Sequence, residues 1–347
     1  MPEFWQFLVP AVIAVLLVNL LSPIARNVGL VDRPDHRKQH QHDIPLVGGI
    51  VISLTLMVSL LLFDISLKDF RILFFGLATV MIFGVVDDYN DTPAIKKVLL
   101  QILVASVMVI ADDLIVSNIG DIFAKGYSQG LGVLVVPFSI LAIVGVVNAF
   151  NMIDGLDGLA SLTTVISLCA ILYLVANQSN VKLDELQIVL IVFVIALLVF
   201  SIFNLALGVS PYRQIFLGDA GSTFIGLLVV FVLITLSDDQ NGVLRVTIAP
   251  WLIGLPLVDM CLVIIQRAGN RRSPFKADRG HLHHALLTWT GNKWLVLLIL
   301  LAFHFCLVLT GVLAELQGWS DWILFWGMFP IFIGVYFFVW LLTKAKS

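Results

Sequence analysis

The sequence predicts an all-α integral membrane protein, a single polytopic unit over residues 1–347 with about eleven transmembrane helices. Three observations carry that reading. Hydrophobic residues make up 60% of the chain and charged residues only 12%, against roughly 25% charged in a soluble domain, and the mean hydropathy is +1.03. Apolar windows long enough to approach the span length of about 20 residues recur along the whole chain, leaving little for a soluble domain. The Lys and Arg residues are distributed very unequally between alternate loops.

The windows fall near 4–22, 46–63, 69–87, 97–116, 131–150, 158–177, 186–206, 221–237, 245–266, 293–314 and 322–343. The first follows MPEFWQFLVP, which has a Glu and no basic residue before the apolar run; this is unlike a cleaved signal peptide, and the helix is expected to be retained. Of the 20 Lys and Arg, one set of loops holds fifteen and the other five, Lys68, Arg71, Lys125, Lys182 and Arg245. Because cytoplasmic loops carry the excess, the N-terminus is expected outside and the C-terminus in the cytoplasm. The longer cytoplasmic loops, roughly 24–45 and 267–292, are basic and His-bearing, while an outer loop at about 117–130 is Gly-rich and suits a small hairpin. Cys169, Cys261 and Cys306 sit in apolar stretches without CxxC spacing, so neither a disulfide framework nor a thiolate metal site is indicated. There is no Walker sequence and no GxGxxG, which argues against an ATP-driven pump.

Polar groups at a membrane are costly, so their clustering is informative. Val85-Val86-Asp87-Asp88-Tyr89-Asn90-Asp91 ends the third window; adjacent carboxylates repel and are stabilised together by a divalent cation or a cationic partner, unless they are a solvated helix end. Lys96 and Lys97 follow, as phosphate contacts or as positive-inside anchors. Asn148, Asn151 and Asp154 form a polar stripe at three-residue spacing leaving the fifth window, and Asp154-Gly155 and Asp157-Gly158 suggest a tight turn aiming carboxylates into a site, with helix capping by Asp157 the plainer alternative. In Phe216-Leu217-Gly218-Asp219, Asp219 is either an N-cap or a metal ligand. Arg279-Gly280-His281-Leu282-His283-His284 suits phosphate donors better than zinc, because no Cys or Glu stands nearby.

The loop from Asp32-Arg33-Pro34 through His42 to Gly48-Gly49 reads equally as a site or as a positive-inside loop. Asp259, three residues after Pro256, is an intramembrane acid beside an expected kink; it supports a cavity from behind the residues that touch a ligand, or is satisfied by backbone that the proline frees. Asp112-Asp113 and His304 read as structural or interfacial. Taken together, carboxylates suited to Mg²⁺ and basic groups suited to a diphosphate, gathered at one end of the spans, point to phosphoryl transfer onto a lipid. A transporter or flippase would instead place charges at the midplane between repeated halves, and no repeat is evident.

In the order VDRP…IPLVGGI, GVVDDYND, NAFNMIDGLDGLA, FLGDAGS and PLVDM…RRSPFKADRGHLHH, the chain resembles the polyprenyl-phosphate N-acetylhexosamine-1-phosphate transferases, and within them the WecA-like branch. The resemblance covers nearly the whole chain. It implies transfer of N-acetylglucosamine 1-phosphate from UDP-N-acetylglucosamine to undecaprenyl phosphate, with release of UMP and dependence on Mg²⁺, or Mn²⁺ in its place. It further implies a bacterial inner-membrane enzyme making a lipid-linked precursor of a surface polysaccharide such as O-antigen, with membrane lipid but no nucleic acid as partner, and it admits a homodimer. By this resemblance Asp219 would ligate the metal with Asp87 and Asp88 beside it; Asn148, Asn151 and Asp154 would line the same centre. Asp157 and Phe216 would face the uracil, Lys97 a phosphate, and His281, His283, His284 and Arg279 the donor's diphosphate or sugar. The related muramyl-pentapeptide transferases carry Lys at the position of Asp91, three consecutive His in place of His-Leu-His-His, and a uracil-contacting Lys at the position of His42; the first two departures favour the simpler sugar. Another UDP-N-acetylhexosamine is the alternative donor.

Overall fold

The computed structural model describes residues 4–33, 42–63, 65, 68–90, 92–176, 184–237, 243–269 and 280–344. It is built almost wholly of helices: α1 (Phe4–Val28), α2 (Gly48–Leu62), α3 (Arg71–Asn90), α4 (Ala94–Ala111), α5 (Val135–Ile153), α6 (Leu159–Ala176), α7 (Asp184–Asn204), α8 (Gly218–Ser237), α9 (Ala249–Leu252), α10 (Gly254–Gly269), α11 (Leu282–Thr290), α12 (Lys293–Leu316) and α13 (Asp321–Lys344). Two short strands, β1 (Val31–Asp32) and β2 (Ile44–Pro45), pair antiparallel between α1 and α2. The expected hairpin in the Gly-rich loop is present: Asn118 bridges Gly130, the Ile119 N–H donates to Gln129 O at 3.0 Å, and the Gln129 N–H donates to Gly120 O at 2.9 Å.

Among the described residues nine helices are long and apolar enough to cross a membrane. Each of the eleven apolar windows contains a helix, but two are not simple spans. Helix α2 has 15 residues, about 22 Å at 1.5 Å per residue, against a hydrocarbon core of about 30 Å. The ninth window is broken at Ile253, where α9 and its lead-in meet α10 at 82°. Pro256 accounts for the break, since it has no N–H to give the Leu252 carbonyl one turn earlier and its ring crowds that carbonyl. The freed groups find other partners, as burial away from water demands. Ser167 Oγ donates to Leu252 O at 2.6 Å, and the Leu255 N–H reaches His304 Nδ1 at 3.4 Å. With Nδ1 accepting, His304 Nε2 carries the proton and donates to Thr163 O at 3.1 Å, so His304 has the structural role expected of it.

Helix α8 is apolar all round and buried along nearly its whole length, the pattern of a central helix. Helices α2, α3, α5 and α6 pack on it. Gly84 permits the closest approach: a Cβ there would lie 2.3 Å from Ala220 Cα. The outer helices α1 and α13 instead expose large side chains, Leu16 at 63% and Ile333 at 68%, as a lipid-facing surface would.

Chain direction brings the C-terminal ends of α3, α5 and α7 and the N-terminal ends of α2, α4, α6, α8 and α12 to one face, where the sequence motifs meet. On the far side Arg245 ties the chain together, pairing with Glu315 and Asp321 at 3.1 Å each.

Candidate active site

The site is organised by the start of α8. Gly218 has φ +71°, and a Cβ there would fall 2.4 Å from Asp88 Oδ2, so the position requires glycine both for its left-handed backbone and for clearance. Asp88 Oδ1 accepts the Asp219 N–H at 2.7 Å, and Oδ2 accepts the Ala220 N–H at 3.3 Å. The cap of α8 is therefore supplied by Asp88 from α3, and Asp219 is released to point into the site. This excludes the N-cap alternative for Asp219.

Asp219 is held from two sides. Lys97 Nζ approaches Asp219 Oδ2 at 2.6 Å and also pairs with Asp87; Asn151 Nδ2 donates to Asp219 Oδ1 at 3.0 Å and to Ser222 Oγ at 2.9 Å. Asp87 is buried, and its Oδ1 accepts the Thr92 N–H at 2.7 Å, closing the turn into α4. Asn148 lies one helical turn deeper, donating to Gln101 Oε1 at 2.6 Å; it lines a small cavity of about 30 Å³ beneath the aspartates with Asn151, Lys97 and Asp219.

Above this layer opens a cavity of about 1370 Å³. Asp87, Asp88, Lys97, Asp154, Asp157, Phe216, Asp219 and His284 line it, so eight of the thirteen site residues named from sequence converge there. Asp157 pairs with Lys293 at 3.3 Å and takes a long bond from Gln214 at 3.4 Å. It does not cap α6: the Gly158 N–H goes to Asn204 Oδ1 at 2.6 Å instead. Asn204 also donates to Ile215 O at 2.9 Å, which ties the DGLDG turn to the FLGD segment. The VGG motif has the same supporting role, since Gly48 N–H and Gly49 N–H donate to Phe216 O and Leu217 O at 2.9 and 3.1 Å.

The remaining expectations fare differently. Only His284 of the three histidines lines the cavity. His281 Nδ1 sits 2.7 Å from Asp259 Oδ2, and His283 is buried against Gly155, whose Cβ would lie 2.3 Å from its Nε2. Direct contact of His281 and His283 with a donor in the cavity is therefore not what this geometry offers; both are enclosed in the wall. Asp259 accepts the Leu282 N–H at 2.7 Å besides His281, so it is not satisfied by backbone freed at Pro256; it stands behind the cavity wall, holding His281. His42 stacks on Tyr212 at 4.4 Å and is absent from the cavity wall. Arg279 and Asp91, with the basic loop segments at 34–41 and 270–279, lie outside the described residues.

Sequence reasoning missed Lys293, Gln214 and Asn204. In the sequence Lys293 counts only among the fifteen basic residues of the cytoplasmic loops, and no local pattern marks the other two, whose significance comes from the chain crossing between α7 and α8.

Electrostatically, Asp32, Asp87, Asp88, Asp154, Asp157 and Asp219 face Lys97 and Lys293 across the cavity wall. Loss of water, then the charges on Asp219, Asp157 and Asp88, push the Asp154 carboxyl well above the usual carboxylate range. Such a surface calls for added positive charge. The oxygen donors are those a hard divalent ion takes, and Asp87 and Asp219 already converge on one cation, the Lys97 ammonium. The residues fit Mg²⁺.

This chain is similar over nearly all its length to three undecaprenyl-phosphate alpha-N-acetylglucosaminyl 1-phosphate transferases. It is 32% identical to that of Escherichia coli K12 over 93% of this chain and 86% of that protein. The figures are 31%, 96% and 91% for Pasteurella multocida Pm70, and 29%, 96% and 92% for Haemophilus influenzae Rd. The profile of glycosyl transferase family 4 matches residues 70–237. The chain belongs to the polyprenyl-phosphate N-acetylhexosamine-1-phosphate transferases, glycosyl transferase family 4. The matched stretch begins at α3 and ends with α8, and so contains every cavity aspartate named above except Asp32. The transferase profile does not extend to His281–His284, nor to Lys293, which α11 and α12 bring to the cavity edge.

Proposed function

We propose that this family member transfers N-acetylglucosamine 1-phosphate from UDP-N-acetylglucosamine to undecaprenyl phosphate, releasing UMP, at the cytoplasmic face of a bacterial inner membrane. The observation that carries this reading is the meeting of Asp87, Asp88, Lys97, Asp154 and Asp219 around one large cavity at the ends of apolar helices. A soluble nucleotide sugar enters such a cavity from water, and a lipid phosphate enters it from the bilayer. Counting α2 and the broken α9–α10 unit as crossings gives eleven, with the N-terminus outside and this cavity on the basic, cytoplasmic side. The product is then a lipid-linked precursor of a surface polysaccharide.

Asp219 and Asp87, with Asp88 beside them, would hold Mg²⁺, or Mn²⁺ in its place. When bound there, the ion would supply neutralisation of charge on the diphosphate. The protein's own contribution is position and charge. Lys97 is anchored by two carboxylates at the cavity floor, where a phosphate oxygen can meet its ammonium. Asp157 and Phe216 form the wall suited to the uracil, with Lys293 paired to Asp157 there and His284 also in the lining.

The lipid phosphate, with a second pKa of about 6 like other phosphomonoesters, is largely ionised near neutral pH, so no strong general base is required. Its oxygen bonds to the β-phosphorus, the bond from that phosphorus to the bridging oxygen breaks, and the electron pair leaves with UMP. Direct attack is favoured over a phospho-aspartate at Asp87 or Asp88 because the ionised lipid phosphate is itself a competent nucleophile.

The test is purified protein with undecaprenyl phosphate, Mg²⁺ and a panel of UDP-sugars, scored by UMP release. Release with UDP-N-acetylglucosamine above the other sugars supports the reading; release only with another UDP-N-acetylhexosamine would reassign the donor, and no release with any sugar would sink it.

A further inference from the structure

Outside the cavity, a second group of metal-competent side chains is enclosed between α10 and α11. Asp259 is 2% exposed, His283 3% and His281 9%. One donor atom from each lies within 4.8 Å of the other two. The rings of His281 and His283 stack with centroids 5.3 Å apart.

The arrangement is incompletely satisfied. Asp259 bonds His281 Nδ1 and the Leu282 N–H, both at 2.7 Å. His283, by contrast, has both ring nitrogens buried with no hydrogen-bond partner among the described residues. An imidazole always carries at least one N–H and, when neutral, one lone pair, so this ring forgoes two bonds in a place where each unmade bond costs free energy.

We propose that Asp259, His281 and His283 form a binding site for a borderline divalent transition cation of the Zn²⁺ class, separate from the carboxylate site for Mg²⁺. Two imidazole nitrogens and one carboxylate oxygen are a ligand set that Zn²⁺ takes and Mg²⁺ does not prefer. The buried negative charge of Asp259 would gain a compensating positive one. Zinc–ligand bonds of about 2.0–2.1 Å place neighbouring donors about 3.4 Å apart in a tetrahedron. Closing from 4.8 Å therefore asks for a shift of about 1 Å, and His283 has no hydrogen bond to a described residue to break in making it. The proton between His281 and Asp259 would be displaced on binding. Sequence spacing alone weighs against zinc here because the third ligand comes from α10, more than twenty positions upstream of the histidines.

Tag-free full-length protein in detergent, with millimolar Mg²⁺ present, is titrated with Co²⁺ as a spectroscopic probe. The expected result is a visible d–d band that saturates at one equivalent and is displaced by Zn²⁺. His283→Gln and Asp259→Asn should each weaken binding at least tenfold, whereas Asp219→Asn should leave it unchanged. Absence of the band, equal binding by the first two variants, or loss of binding in Asp219→Asn would overturn the proposal. X-ray absorption on zinc-loaded wild-type protein gives an answer free of any folding defect in the variants. Nitrogen and oxygen ligation with an imidazole signature is expected, and sulfur or all-oxygen ligation would refute it.

Discussion

Asp88 caps a helix to which it does not belong: its two carboxylate oxygens take the N–H groups of Asp219 and Ala220 at the start of α8. The relationship joins two motifs 131 residues apart in sequence and decides which aspartate is left to face substrate. A carboxylate at a helix N-terminus gains from both the hydrogen bonds and the helix dipole. Asp88→Ala should therefore lower stability by about 1–2 kcal/mol and abolish UMP release, because the frame that aims Asp219 is lost. A thermal unfolding midpoint equal to wild type would contradict the capping role.

Asp219→Asn should behave differently. The amide retains size and can still accept from Asn151, while Lys97 keeps Asp87 as a partner, so the fold is maintained. Turnover should drop by a factor of about 10² or more, corresponding to several kcal/mol of lost charge stabilisation. Near-normal activity at saturating Mg²⁺ would show that Asp219 does not serve the metal.

Lys97 stands between the carboxylates assigned to the metal and therefore competes with it as well as serving the diphosphate. Lys97→Gln is expected to reduce kcat by about tenfold or more without raising the Mg²⁺ concentration for half-maximal activity. A higher Mg²⁺ requirement in the variant would mean that the lysine organises the metal site rather than competing for it.

Ser167 satisfies the carbonyl that Pro256 strands at the bend. Ser167→Ala leaves Leu252 O unpaired in an apolar interior, at a cost of about 1–3 kcal/mol. A lowered midpoint in detergent with the KM for the nucleotide sugar unchanged is the expected outcome; no change in stability would show that another donor reaches Leu252.

Topology is open to a direct check. Reporter fusions after residue 125 should read outside, and fusions after 280 or at 347 should read cytoplasmic, following the distribution of Lys and Arg. A periplasmic reading at 280 would separate the cavity from any cytoplasmic nucleotide sugar and remove the proposed reaction.

Composition and periodicity were sufficient for the class of fold and for the position of every apolar helix, because hydrophobic length is a local property of the chain. They could not show that α2 is short or that Ile253 marks a sharp bend, since both depend on where neighbouring helices supply partners for backbone groups. The aspartate motifs were likewise legible, because carboxylates beside apolar spans are costly and stand out. Their division of labour was not. Whether Asp219 caps its own helix or is capped by Asp88, whether Asp157 or Asn204 holds the start of α6, and whether a histidine of the HLHH motif faces the cavity or Asp259 were settled only by packing. Adjacent residues in a sequence have the same chemistry available to them, but a hydrogen bond extends only about 3 Å, and which groups come within that distance is decided by how the helices cross.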